Sequence, residues 1–147
     1  MNWSATQIGH ARLIVTVTRN LSGSWDTDHR YRAADIALAT AMAESGLRLL
    51  ANPGVPASMR YPHEGVGTDH LSLGLFQQQP AWWGGTAQCM SASGSTTAFL
   101  RSLARFSWAG HTNWALAQLV QRSAFPDGSN YRRWDSEAIR LRKTLWR

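Results

Sequence analysis

AADIALATAMAESGL, residues 33–47, decides the fold of this chain. Ala, Ile, Leu and Met fill nearly every position, so the run reads as a helix buried on most of its surface and as the centre of a helical domain. It carries an acid, Glu44, at its end. Burying an unpaired carboxylate is costly, and a carboxyl held in apolar surroundings responds by raising its pKa toward neutrality. Glu44 is therefore a candidate proton donor near pH 7. Ser45 adds a hydroxyl able to hydrogen-bond the acid or contact a ligand. Gly46 is free to take the positive φ of a helix C-terminus, so the helix stops where the acid faces out.

Upstream, Ser4 is a plausible N-cap for a first helix to about Thr18, and NLSGS at 20–24 is turn chemistry that closes it. Asp26 or Asp28 can cap the central helix, placing negative charge at its positive end. Downstream, residues 48–71 hold Pro53, Gly54, Pro56, Pro62, Gly65 and Gly67 without strong periodicity, which predicts a long functional loop forming a groove wall. SLGLFQQQP, 72–80, reads as a short strand or extended turn. Trp82-Trp83-Gly84-Gly85 makes an aromatic corner, and 86–90 one helical turn. Ser95 begins a helix over 96–106 with Phe99, Leu100 and Leu103 on one face and Arg101 and Arg105 on another. A further helix over 113–123 buries Ala115, Leu116, Leu119 and Val120, and Phe125-Pro126-Asp127-Gly128 breaks it. The tail, 136–147, is a basic amphipathic helix, either docked on the domain or touching an anionic partner.

With 147 residues and 44% hydrophobic content, the chain suits one domain with a proper core. Its net charge of +6 favours a polyanionic partner, nucleic acid or an anionic cell-wall polymer. The basic residues are scattered and gather only in the tail, and the known nucleic-acid motifs are absent, which argues against nucleic acid. Eight Trp exceed what a small core needs, so some are expected to form flat walls for sugar rings or bases, Trp82 and Trp83 among them. The lone Cys89 excludes an internal disulfide and reads as a buried small hydrophobe. His63-Glu64 and Asp69-His70 invite a metal reading, but their spacing matches no common site and the interleaved glycines leave them loose, so they are expected to brace the loop. No run approaches the ~20 apolar residues that span a bilayer, and the N-terminus lacks the pattern of a signal peptide. The expectation is a protein made in the cytoplasm or a domain cut from a larger chain.

Three pieces stand in order: AESGL at 43–47, SLGLFQQ at 72–78 and QLVQRSAFP at 118–126. Here the chain resembles the lysozyme-like superfamily, in particular its lytic transglycosylases, whose hallmark is a Glu-Ser pair ending a buried helix and then a Gly-Leu-(Phe or Met)-Gln turn. It is closer still to a lysozyme-like domain of actinobacterial cell-wall proteins and of lysins from the phages that infect them. In those, ALATAMxESGL, YPHxxVGxDHxSxGLFQQ, a Trp-Gly turn and AxxVQRSAFPD recur in this order. The likeness covers residues 33–127. Two positions depart from it: Leu71 stands where an acidic residue is common, and Gln79 where Arg is common. No Tyr-Asn pair stands near 121–125, where related enzymes carry their third motif.

The resemblance implies a mostly α, α+β lysozyme-like domain spanning 1–147, with a β-like turn lining the cleft. It implies cleavage of the peptidoglycan glycan strand between N-acetylmuramic acid and N-acetylglucosamine by a monomer that needs no cofactor. Glu44 is then the acid, with Ser45, Ser72, Gly74, Gln77, Gln78, Trp82, Trp83 and Gln121 around the substrate. The residues argue the same chemistry: glycosidic cleavage needs a protonated acid at the leaving oxygen, and retaining or inverting hydrolysis needs a second carboxylate. Glu64 and Asp69 are the only acids in the loop able to supply it. Without one, the sugar's own 6-hydroxyl can attack, with Glu44 returning as base. A water-using muramidase and an idle wall-binding domain are the alternatives. Such a protein would be a phage lysin reaching the wall through lysis or a holin-like route, or an excised wall-associated domain.

Overall fold

In a computed structural model that describes all residues, Met1–Arg147, eight helices surround one apolar core and a two-stranded sheet sits at its edge. They are α1 (Ala5–Leu21), α2 (Thr27–Ser45), α3 (Pro80–Trp83), α4 (Thr86–Cys89), α5 (Ala92–Leu103), α6 (Asn113–Gln121), α7 (Ser129–Arg132) and α8 (Asp135–Leu145). Ser4 caps α1 in a reciprocal box with Gln7, and the Asp26 carboxylate accepts from the His29 N–H at the start of α2. α2 is the axis of the domain. Every residue from Ala33 to Met42 is buried, because α1, α5, α6, α7 and α8 all pack against it. A helix apolar on all sides has to be enclosed in this way, and its alanines let the neighbours approach closely.

That run holds a second acid which its apolar neighbours obscure. Asp35 is 3% exposed and is held by the guanidinium fork of Arg142 from α8, at 2.8 and 3.2 Å. Burial raises the Asp35 pKa while Arg142 opposes that rise. The basic tail is thus docked: α8 buries Ala138 and Leu141, and at its start the Trp3 indole N–H donates to Glu137. Seven of the eight Trp pack in or against the core, and Trp82 alone stands clear, 81% exposed. Cys89 is buried, and burial pushes its thiol up to about 11.

Residues 48–71 are more ordered than their composition predicts. β1 (Leu50–Ala51) pairs in parallel with β2 (Gly65–Val66), and a 3-10 helix occupies Pro56–Arg60. Two-residue strands are too short to leave a periodic signal. The segment is also pinned by side chains, since Asn52 donates to the carbonyls of His70 and Ser72, and the Ser58 hydroxyl bonds both backbone groups of Asn52. α5 begins at Ala92, earlier than predicted. Ser91 is its cap, accepting from the Gly94 N–H at 2.9 Å, while Ser95 lies buried inside the helix. α6 stops at Gln121 and buries Leu116, Ala117 and Val120; Ala115 is half-buried and Leu119 is exposed. No helix is long and apolar enough to cross a membrane.

Removing Arg142 would leave Asp35 an uncompensated buried charge. Arg142→Met is expected to lower stability by about 3–5 kcal/mol. Adding Asp35→Leu should recover much of that loss, as read by urea unfolding of the single and double variants.

Candidate active site

The last turn of α2 brings Glu44 to the wall of a cleft of about 1110 Å3. The helix ends because Gly46 (φ 64°) and Leu47 (φ 59°) both turn left-handed, their N–H groups returning to the Met42 and Ala41 carbonyls. The facing wall of the cleft comes from the turn at 72–78, closed by the antiparallel bridge Leu73↔Gln78. Ser45 joins the two. Its hydroxyl is buried, donates to the Leu75 carbonyl at 2.8 Å and accepts from the Arg48 N–H. It touches neither Glu44 nor the cleft, so the expected contact with acid or ligand is replaced by a structural clamp.

Glu44 lies half-buried, and loss of solvation pushes its pKa up to about 7. Hydrogen bonds from Gln121 and Tyr131 restrain the rise, and the charge of Asp69 adds to it. Both donors reach the same oxygen: Gln121 Nε2 donates to Oε2 at 3.1 Å and the Tyr131 hydroxyl to Oε2 at 3.5 Å. The Gln121 amide cannot turn over, because its Nε2 also donates to the Phe76 carbonyl at 2.7 Å and its Oε1 accepts from Gln78 Nε2 at 3.0 Å. Oε2 therefore always accepts, and the proton of neutral Glu44 resides on Oε1. That oxygen has no protein partner and is open to the cleft. With a pKa of about 7, a large fraction of Glu44 is a neutral carboxylic acid at neutral pH, with its unpartnered oxygen on the cleft side.

The other expected residues fall into two groups. Ser72, Gln77, Gln78, Trp82, Trp83 and Gln121 line the cleft with Glu44. Gln77 takes a left-handed backbone (φ 49°) and donates to the Gly74 carbonyl, leaving its Oε1 free. Gln78 is 3% exposed and acts behind Gln121; its own Oε1 is a buried oxygen without a partner. Trp82 offers an open ring, whereas Trp83 packs on the core. Gly74, expected around the substrate, is turned inward instead. At φ 78° a Cβ there would lie 2.0 Å from the Cys89 carbonyl oxygen, so the glycine admits another piece of the protein.

Of the two acids considered as a second carboxylate, only Asp69 lines the cleft, exposed and 2.7 Å from His70 Nδ1. Glu64 lies outside it. Its Oε1 accepts from the Leu49 N–H at 2.9 Å and sits 2.7 Å from His10 Nε2, tying the loop to α1. No three His, Cys, Asp or Glu side chains gather where a metal ion could be held.

Tyr131, wholly buried, was missed by reading the sequence. It lies beyond residue 127, where the recognisable motifs end, and its only signal is an Asn-Tyr pair after the Gly128 turn. Burial and the charge of Glu44 push its hydroxyl pKa upward, so it remains a donor. No protein-family model matches the chain, and no curated protein matches its sequence.

Two variants test this geometry. Gly74→Ala combines a backbone clash with a left-handed φ and should destabilise the fold by at least about 2–3 kcal/mol, measured by thermal unfolding. Gln121→Leu keeps bulk but removes a donor worth about 1–2 kcal/mol to the carboxylate. An NMR titration of Glu44 should then place its pKa above 7.

Proposed function

We propose that this chain cleaves the glycan strand of peptidoglycan at the bond joining N-acetylmuramic acid to N-acetylglucosamine, with Glu44 as the single acid and base. The observation that carries the reading is a carboxyl with a pKa near 7 and one free oxygen, set in the wall of a large open cleft. The resemblance of residues 33–127 to the lysozyme-like cell-wall domains supports the substrate, and the mostly helical architecture is compatible with that fold. The exposed ring of Trp82 suits a sugar face.

In the proposed reaction, Oε1–H of Glu44 protonates the bridging oxygen as its bond to the anomeric carbon breaks, and that ring becomes oxocarbenium-like. The 6-hydroxyl of the same sugar then bonds to the anomeric carbon. Its proton passes to the Glu44 carboxylate, which restores the acid and leaves a 1,6-anhydro end. This route asks for no second carboxylate. It fits a cleft whose only other acid, Asp69, is exposed and engaged with His70. A hydrolytic variant of the reaction is favoured by one observation, that Asp69 shares the cleft and its charge is felt by Glu44.

Mass spectrometry of fragments released from purified peptidoglycan separates these readings. Anhydromuramoyl ends that disappear with Glu44→Gln are expected; reducing ends dependent on Asp69 would mean hydrolysis. An absence of Glu44-dependent fragments with intact wall binding would make the domain a binder. Because the acid must be protonated, kcat/KM should fall as pH rises through about 7.

A further inference from the structure

The cleft has a second chemical character, set by arginines in its lining. Most cations of this basic chain are engaged within the protein. Arg142 holds Asp35, Arg140 holds Glu137, Arg32 bonds Asn113 and the His111 carbonyl, and Arg132 and Arg133 lie over tryptophan rings. Arg12, Arg60 and Lys143 stand unpaired elsewhere on the surface, and Arg101, Arg105 and Arg122 stand unpaired together. The exposed side chains of these last three enter no hydrogen bond, ion pair or aromatic stack, and all three line the cleft that contains Glu44.

They reach it from separate elements. Arg101 is in the last turn of α5, Arg105 follows that helix, and Arg122 caps the C-terminus of α6, which packs against α5. Arg122 does so at φ 50°, a conformation usually left to Gly or Asn. The only acids lining the cleft are Asp69, beside His70, and Glu44, about half neutral at pH 7. Three exposed cations, none of them in an ion pair, thus share one concave surface, an arrangement that concentrates field for an incoming anion.

The rings of a saccharide are neutral, so they offer such a wall hydrogen-bond acceptors but no charge to pair with it. The charge of a peptidoglycan strand lies on the peptide branches that every second sugar carries through its lactyl ether, and these bear several carboxylates. A planar guanidinium matches a carboxylate in two-pronged geometry. Three of them at the C-terminal ends of two helices suit several carboxylates spread along one branch. We propose that Arg101, Arg105 and Arg122 form an anion subsite that holds the carboxylates of the peptide branch while the glycan bond lies at Glu44. This inference rests on the glycan-cleaving reading for its substrate. It adds that the enzyme selects strands still carrying acidic peptides.

The test compares wild type with a triple variant, Arg101→Gln, Arg105→Gln and Arg122→Asn, the last residue suiting the left-handed backbone. The probes are soluble glycan strands with intact peptides and the same strands with carboxylates converted to neutral methylamides. Wild type is expected to lose about tenfold in kcat/KM on the neutralised strands, mostly through KM. The triple variant should show that loss already on native strands and discriminate little between the two. A triple variant that cuts native strands as well as wild type, or discriminates as strongly, overturns the subsite. If wild type cuts neither probe, the glycan-cleaving reading fails, and equilibrium binding of the native strands decides the subsite alone: arginine-dependent binding sustains it, and binding unchanged in the triple variant, or absent, overturns it.

Discussion

The buried hydroxyl of Ser45 joins the end of the central helix to the turn across the cleft. It donates to the Leu75 carbonyl and receives the Arg48 N–H, so one side chain ties the chain leaving α2 to the 72–78 turn. Glu44 precedes it by one residue, and Phe76, whose carbonyl orients Gln121, follows Leu75 by one. Both halves of the site are therefore referenced to the same oxygen. A hydroxyl suits this junction because it is both donor and acceptor, and burial makes leaving either partner unpaired costly.

From that junction the polarity of the site follows through amides. Phe76 and Gln78 orient Gln121, and Gln121, with Tyr131, occupies Oε2 of Glu44. None of these groups changes charge near neutral pH, so the direction in which Glu44 presents its proton does not vary as the acid titrates. Under the proposed reaction the same arrangement serves both directions of proton transfer. The carboxylate regains its proton on the oxygen that lost it, with no rearrangement behind it.

Much of this architecture was legible in the sequence because it rests on local signals. The apolar run at 33–47, the caps Ser4 and Asp26 and the Gly46 stop are read from neighbours within one helical turn. Glu44 was legible too, as an acid ending an apolar helix. The long-range pairings were not. Asp35 was hidden by the alanines around it, and its partner Arg142 is 107 positions away. Tyr131 shares nothing with Glu44 in sequence. Ser45, Gly74 and Glu64 carry residue types suited to a site, yet each serves the fold: a buried hydroxyl, a missing side chain and a surface carboxylate satisfied by the protein's own backbone. Residue type shows what a side chain can do, and only the tertiary arrangement shows which group it faces.

The desolvation that gives Glu44 its pKa acts on the whole fold as well as on the site. An acid whose pKa is about 7 when folded and 4.5 in the open chain favours the folded state fully below pH 4.5 and withdraws that support as pH rises through 7. The difference amounts to roughly 3 kcal/mol, a sizeable share of the stability of a typical domain. Most proteins loosen in acid as their paired carboxylates take up protons. This residue contributes in the opposite sense, so the protonated form of Glu44 belongs to the more stable fold, and mild alkali draws on that stability from inside the cleft.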